Sequence, residues 1–224
     1  MSGSVRVLVQ ARMSSRRFPG KVLAPFRGRP VIRHVLDAVR RALPSAGPMV
    51  LTSGESSDDP LAAYLRTQDI PVFRGPLDDV FDRYRRCVAL HPCDWFLRLC
   101  ADSPLLSPSV IRAVTDPARR AGVDLVTTVF PRTFPRGQNA EIVRVAAFLS
   151  IDPGALTAGD REHVTAYYYR HPDRFRILNV ASGDPPGARP DLVVDTAQDL
   201  LRMEGMSDAE IEALRDAPYS GITT

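Results

Sequence analysis

The chain has 224 residues, of which 29 are lysine or arginine and 26 are aspartate or glutamate, for a formal net charge of +3. That length suits one sizeable α/β domain with a buried core, and so mild a charge excludes the broad basic face of a nucleic-acid binder. Cys87, Cys93 and Cys100 are odd in number and fit no zinc spacing, so they read as reduced thiols; with no signal-peptide or membrane-length apolar run, a cytoplasmic protein without membrane contacts is expected.

Val5, Val7, Leu8 and Val9 crowd into a short apolar run, which suits a strand buried on both faces of a parallel sheet. The loop that follows, Gln10 to Lys21, carries Arg12, Arg16, Arg17 and Lys21 and is punctuated by Pro19-Gly20. From Pro30 to Leu43 the spacing of Val31, Val35 and Val39 predicts an amphipathic helix. Turning backbone N–H groups, cationic side chains and a nearby helix N-terminus all favour a polyphosphate. Eight basic residues precede the first acidic one, Asp37, and Lys21 is the chain's only lysine. A compact ammonium at a Gly-Lys step suits a phosphate site; chance is the plain alternative. The loop is not a Walker A motif, since Ser15 and Val22 stand where that motif needs glycine and Ser or Thr, and it is not G-x-G-x-x-G.

Further along, Met49-Val50-Leu51 reads as a second strand ending in the polar turn Thr52-Ser53-Gly54. Asp58-Asp59-Pro60 opens a helix, Pro71-Val72-Phe73 is a third strand, and Asp78 to Leu90 is helical. Trp95 to Leu99 is largely apolar and so expected to be a central strand, with Asp102-Ser103-Pro104 at its carboxyl end. Ligands of open parallel sheets bind on that rim, although Asp102 could equally be a turn or cap residue. Ser107 to Arg120 is a helix and Asp124 to Val129 a fifth strand.

There the alternation breaks. Pro131 to Asn139 is a loop, Glu141 to Val145 a short extended piece and Arg161 to Arg170 a helix, so 131–179 is expected to form an arm or lid within a single domain, 1–224. Tyr167, Tyr168 and Tyr169 point in three directions on a helix, and at least one is expected to face a partner subunit, plain surface exposure being the alternative. Ser182 to Pro190 is a loop. Leu192-Val193-Val194 reads as the last core strand, with Asp195 at its end or capping the next helix, and a short helix starts near Ser207.

Asp102 and Asp195 at strand ends, facing Arg12, Ser15, Arg17 and Lys21, make a set suited to Mg²⁺ and a nucleoside triphosphate. The metal would polarise the α-phosphorus, while Lys21 and the arginines stabilise departing pyrophosphate. His163, beside Glu162, is the acid/base candidate, with a structural or substrate-orienting role as the alternative.

The segment Gln10-Ala11-Arg12-Met13-Ser14-Ser15-Arg16-Arg17-Phe18-Pro19-Gly20-Lys21-Val22-Leu23 resembles the signature loop of the cytidylyltransferases. It is closest to the spore-coat polysaccharide biosynthesis branch and related to the synthetases of CMP-activated keto-sugar acids. Similar blocks follow in the family's order, from Phe73-Arg74-Gly75 and Asp78 to Tyr84, through Arg98 to Leu105, Phe134 to Gly137 and Arg161 to Thr165, to Val194-Asp195-Thr196 with Asp199. The resemblance implies a three-layer α/β/α nucleotidyltransferase fold with a Rossmann-like, mostly parallel sheet. It implies CTP as donor, CMP transfer to a small acceptor, pyrophosphate as product, Mg²⁺ as cofactor and a homodimer through the arm.

By the same resemblance, Arg12, Lys21, Asp102 and Asp195 form the catalytic set, the two aspartates holding metal. Ala11, Arg12, Ser15, Arg17, Lys21, Asp79, Arg83 and Asp102 attend the nucleotide. Arg136, Gln138, Asn139, Glu141, Arg161, Glu162 and His163 attend the acceptor. Ser14, Cys100, Asn139 and Asp191 depart from the family's usual residues, the last two in the acceptor half. The acceptor is therefore open among sugar acids, sugar phosphates and phosphonates. A nucleotide-sugar glycosyltransferase and a non-catalytic nucleotide-binding subunit are the competing readings.

Overall fold

A computed structural model describes residues 3–119, 122–183, 189–215 and 219–223. Met1 and Ser2, the end of the expected 107–120 helix at Arg120, and residues 184–188 of the expected 182–190 loop lie outside them. The chain opens with β1 (Val5–Gln10), a two-residue hairpin of β2 (Pro25–Phe26) and β3 (Arg29–Pro30), and α1 (Val31–Ala42). It continues through β4 (Pro48–Ser53), α2 (Asp59–Thr67), β5 (Val72–Gly75), α3 (Val80–Leu90), β6 (Trp95–Cys100), α4 (Pro108–Thr115) and β7 (Leu125–Thr127). The second half holds β8 (Glu141–Arg144), α5 (Val145–Leu149), α6 (Ala158–Glu162), α7 (Ala166–Arg170), β9 (Ile177–Ser182), α8 (Ala197–Glu204), α9 (Asp208–Arg215) and β10 (Tyr219–Thr223).

Eight strands form one sheet in the order β10-β9-β7-β8-β6-β1-β4-β5. β6, β1, β4 and β5 run parallel, β8 runs antiparallel between β6 and β7, and β10 runs antiparallel to β9. The apolar run of β1 serves both faces, as its composition demands. Val7 and Val9 pack with α1, α2 and α4, while Leu8 packs with α3, α5 and α7 on the opposite face. This is the expected three-layer, mostly parallel fold, with β6 in the interior of the sheet.

Four local expectations need correction. Leu192 to Val194 is not a strand. Leu192 N–H donates to the Arg136 carbonyl (2.6 Å) and Val194 N–H to that of Asp102 (2.8 Å), so the segment is laced to two loops instead of to a neighbouring strand. Its apolar residues fill a small separate core with Phe26, Val31, Leu105, Met203 and Ile211. The expected Arg161–Arg170 helix is two short helices, α6 and α7, because His163 leaves helical geometry (φ −111°, ψ 89°). The break is held from inside, where Thr165 Oγ1 donates to Glu141 Oε1 at 2.7 Å.

The tyrosines do not face outward. Tyr167 and Tyr168 are buried, and the partly buried Tyr169 stacks on Phe130 with ring centroids 4.7 Å apart. A five-residue helix covered by the sheet on one side and by Phe175 on another can absorb all three. Residues 141–144, expected within the arm, supply β8 to the middle of the sheet, where Ile142 and Val143 are buried on opposite faces.

Two buried devices hold the loops at the carboxyl rim. The Asp58 carboxylate, fully buried, accepts from Met13 N–H (2.7 Å), Thr52 Oγ1 (2.7 Å), Ser53 N–H (2.9 Å) and Ser53 Oγ. It pins the basic loop after β1 to the end of β4. Burial opposes its charge, but the hydrogen bonds from Ser53, Met13 and Thr52 outweigh burial and hold its pKa below the ordinary aspartate value. At the second device, Gly137 takes φ +96°, and a Cβ there would lie 2.4 Å from the Leu192 carbonyl carbon. Only glycine lets the 134–138 loop touch the 192–194 segment.

Both devices are testable by denaturant unfolding. Gly137→Ala should lose about 2 kcal/mol or more, whereas Gly47→Ala, with nothing within 4 Å of its Cβ, should stay near wild type. Asp58→Asn should cost about 1–3 kcal/mol at neutral pH by replacing an acceptor with a donor among donors. Because the folded-state pKa of Asp58 is depressed, its stabilisation is present above the unfolded value and is lost as pH falls through the folded one. Wild-type stability should therefore converge toward that of Asp58→Asn below about pH 4. A gap that stays constant through that acid range would rule out an ionised Asp58.

Candidate active site

At the carboxyl ends of β1 and β6 the rim loops enclose a cleft of about 420 Å³. Its walls carry seven cationic side chains against three carboxylates, the balance a polyphosphate requires. A larger concavity, about 1120 Å³, opens at the other end of the sheet around Trp95 and Ala42–Ala46. It collects no comparable cluster of charge, so the smaller cleft is the candidate site.

The basic loop folds back on itself. Gly20, at φ +76°, donates its N–H to the Met13 carbonyl (2.8 Å), and the turn delivers Lys21 into the cleft. The Lys21 ammonium lies 2.7 Å from Asp102 Oδ2 and 3.2 Å from Asp195 Oδ1. Arg17 and Arg136 reach the other oxygen of Asp195, at 2.8 and 2.5 Å. Burial works against an ionised Asp195, but Arg136, Lys21 and Arg17 outweigh it, so its pKa lies below the ordinary aspartate value. Asp195 does not cap α8; Thr196 does, in a capping box with Asp199.

The helix N-terminus expected to assist the loop is already satisfied. Val31 and Ile32 donate to the carbonyls of Ala24 and Val22, because the β2–β3 hairpin intervenes between Lys21 and α1. Anion binding here falls to side chains and to the loop.

Of the residues singled out from sequence, Ala11, Arg12, Ser15, Arg17, Lys21, Arg83, Asp102, Arg136, Glu162, His163 and Asp195 line the cleft. Arg12 reaches across it to Glu162 at 3.5 Å. The guanidinium of Arg83 is buried and donates to the carbonyls of Pro76 and Leu77. Asp79 caps α3 through Asp82 N–H and pairs with Arg161 at 2.5 Å, and neither residue lines the cleft.

Gln138, fully buried, ties Ser107 N–H (2.9 Å) to the Leu105 carbonyl (2.7 Å), and Asn139 accepts from Arg132 at 2.7 Å. Glu141 lies beneath the floor, ion-paired with Arg98 and bonded by Thr165 and Tyr169. Gln138, Asn139 and Glu141 all lie off the cleft wall.

Arg98 and Gln10, which were not among the site residues expected from the sequence, line the floor with Cys100. The available signal was a charge within the apolar strand Trp95-Phe96-Leu97-Arg98-Leu99, since an arginine largely removed from water needs a partner. Burial opposes the charge of Arg98, and Glu141 beside it more than compensates, raising its pKa above the usual value. Burial pushes the Cys100 thiol up to about 11, so it is neutral and unreactive at physiological pH.

The donor set suits a hard divalent cation. Asp102 and Asp195 converge on one positive charge, and among the described residues no third His, Cys, Asp or Glu joins them. A magnesium ion keeps several waters and takes the rest of its shell from one or two carboxylates and from phosphate oxygens.

Comparisons with known proteins identify the family. Residues 6–216 match the family model described as cytidylyltransferase. The spore coat polysaccharide biosynthesis protein SpsF of Bacillus subtilis is 28% identical, over 86% of this chain and 81% of its own. A 3-deoxy-manno-octulosonate cytidylyltransferase of Anaeromyxobacter is 30% identical, over 97% and 90%. A cytidylyltransferase structure from Leptospira borgpetersenii superposes with a TM-score of 0.85, covering 95% of this chain and 94% of that one, at 24% identity. The match over nearly the whole chain goes against the glycosyltransferase alternative, and the chain belongs to the cytidylyltransferase family, as a CTP-dependent nucleotidyltransferase.

Proposed function

We propose that the chain is a Mg²⁺-dependent enzyme that transfers CMP from CTP to a small acceptor, a sugar acid, sugar phosphate or phosphonate, and releases pyrophosphate. The observation that carries this reading is the Lys21 ammonium held between Asp102 and Asp195 at the mouth of an arginine-rich loop. The similarity to SpsF and to a 3-deoxy-manno-octulosonate cytidylyltransferase supports a place in polysaccharide or related biosynthesis, and a cytoplasmic location is part of the same proposal.

In this reading Lys21, Arg17 and Arg136 exchange carboxylate partners for the phosphates of CTP. That exchange frees Asp102 and Asp195, which would hold Mg²⁺; the bound ion supplies Lewis acidity at the α-phosphate and shields charge. Lys21 and the arginines then stabilise the leaving pyrophosphate. An acceptor carboxylate or phosphate is already a nucleophile and needs no protein base. His163 and Glu162, exposed on the cleft wall, are placed to orient the acceptor. A homodimer belongs to the same reading through family likeness, with an interface that does not use Tyr167 and Tyr168, which are buried within the chain.

The test is pyrophosphate release from CTP against a panel of sugar acids, sugar phosphates and phosphonates. Turnover should vanish with EDTA and return with Mg²⁺. Lys21→Ala, Asp102→Asn and Asp195→Asn should each reduce kcat by about 100-fold or more while melting cooperatively. His163→Gln should retain more activity than any of them. Full Mg²⁺-dependent activity in Asp195→Asn would sink the two-carboxylate reading.

A further inference from the structure

The floor of the cleft divides into two chemically different ends. At the Lys21 end, Arg17 and Arg136 crowd around Asp195, a place for phosphate. At the other end the charges are already spent. Arg98 is paired with Glu141, and the Arg83 guanidinium is occupied by the Pro76 and Leu77 carbonyls. A flat, uncharged, polar group fits there, and in a bound nucleoside triphosphate that group is the base.

One side chain at this end has its orientation dictated. Gln10 is the register partner of Cys100 at the carboxyl end of β1, and its Oε1 accepts from Arg98 Nη2 at 3.3 Å. A guanidinium has only donors, so the amide must turn its oxygen toward Arg98. Arg98 is itself fixed by Glu141, which Thr165 and Tyr169 hold in turn, Tyr169 also bonding Thr127 at 2.8 Å. The Gln10 NH₂ group has no partner among the described residues and lies on the cleft wall.

Resting on the nucleotide reading above, we infer that Gln10, oriented by the Arg98–Glu141 pair, selects cytosine over uracil by presenting a donor to pyrimidine N3. Cytosine N3 is an acceptor, whereas uracil N3 carries a hydrogen. The same amide therefore bonds one base and meets the other donor to donor. Sites that use a buried polar group in this way discriminate more strongly than sites that use shape alone.

The experiment is calorimetric titration of wild type, Gln10→Leu and Gln10→Glu with CTP and with UTP, in Mg²⁺ and without acceptor. Wild type should bind CTP about tenfold or more tightly than UTP, the value of one hydrogen bond. Gln10→Leu should bring the ratio near unity through weaker CTP binding. Gln10→Glu keeps one oxygen on Arg98 and offers the other as an acceptor, so its ratio should move past unity toward UTP. Wild-type binding of both nucleotides with equal affinity, or a ratio unchanged in both folded variants, overturns the inference. Failure of wild type to bind CTP at all strikes the nucleotide reading instead, so the two failures are distinguishable.

Discussion

A single ammonium placed between two carboxylates organises this protein. Lys21 bridges Asp102 and Asp195, residues 81 and 174 positions away in the chain, and each needs a separate support to arrive. Lys21 comes from a loop pinned by Asp58 and turned at Gly20; Asp102 comes from the carboxyl end of β6. Asp195 comes from a segment laced to loops at Arg136 and Asp102. Partly buried opposite charges are costly to separate, so in the proposed reaction a ligand of higher negative charge would have to compete for the cations.

That constraint accounts for the arginines around it. Arg17 and Arg136 converge on the oxygen of Asp195 that Lys21 does not use. The cations of the site are thus held by carboxylates at lengths a phosphate oxygen could match. Beneath them, the Arg98–Glu141 pair is fixed by Tyr169 and Thr165, which both bond Glu141. In the proposed reaction the Lys21 end would exchange partners, while the floor stays fixed.

Much of this was legible in the amino-acid order. The alternation of apolar runs and amphipathic helices through β7 specified the layered sheet, and the basic loop with its lone lysine marked the cleft. Asp102 was readable because it follows a strand rich in Phe and Leu. The second half was less legible for physical reasons. β8 is a short apolar piece that reads the same in an arm as in a sheet, and only its partners β6 and β7 place it. Leu192 and Val194 look like a strand because burial requires apolar residues whether or not a ladder forms. Gln138 and Glu141, polar residues in a region resembling an acceptor site, turned out to be buried fasteners, a distinction that depends on contacts 24 to 33 residues distant.

The most direct test of the central claim is a crystal structure with CTP and Mn²⁺, located by its anomalous scattering. The expected result is a manganese peak coordinated by Asp102 and Asp195, with Lys21 moved from the carboxylates onto phosphate oxygen. A metal bound elsewhere, with Lys21 still bridging both aspartates beside an ordered nucleotide, would contradict it.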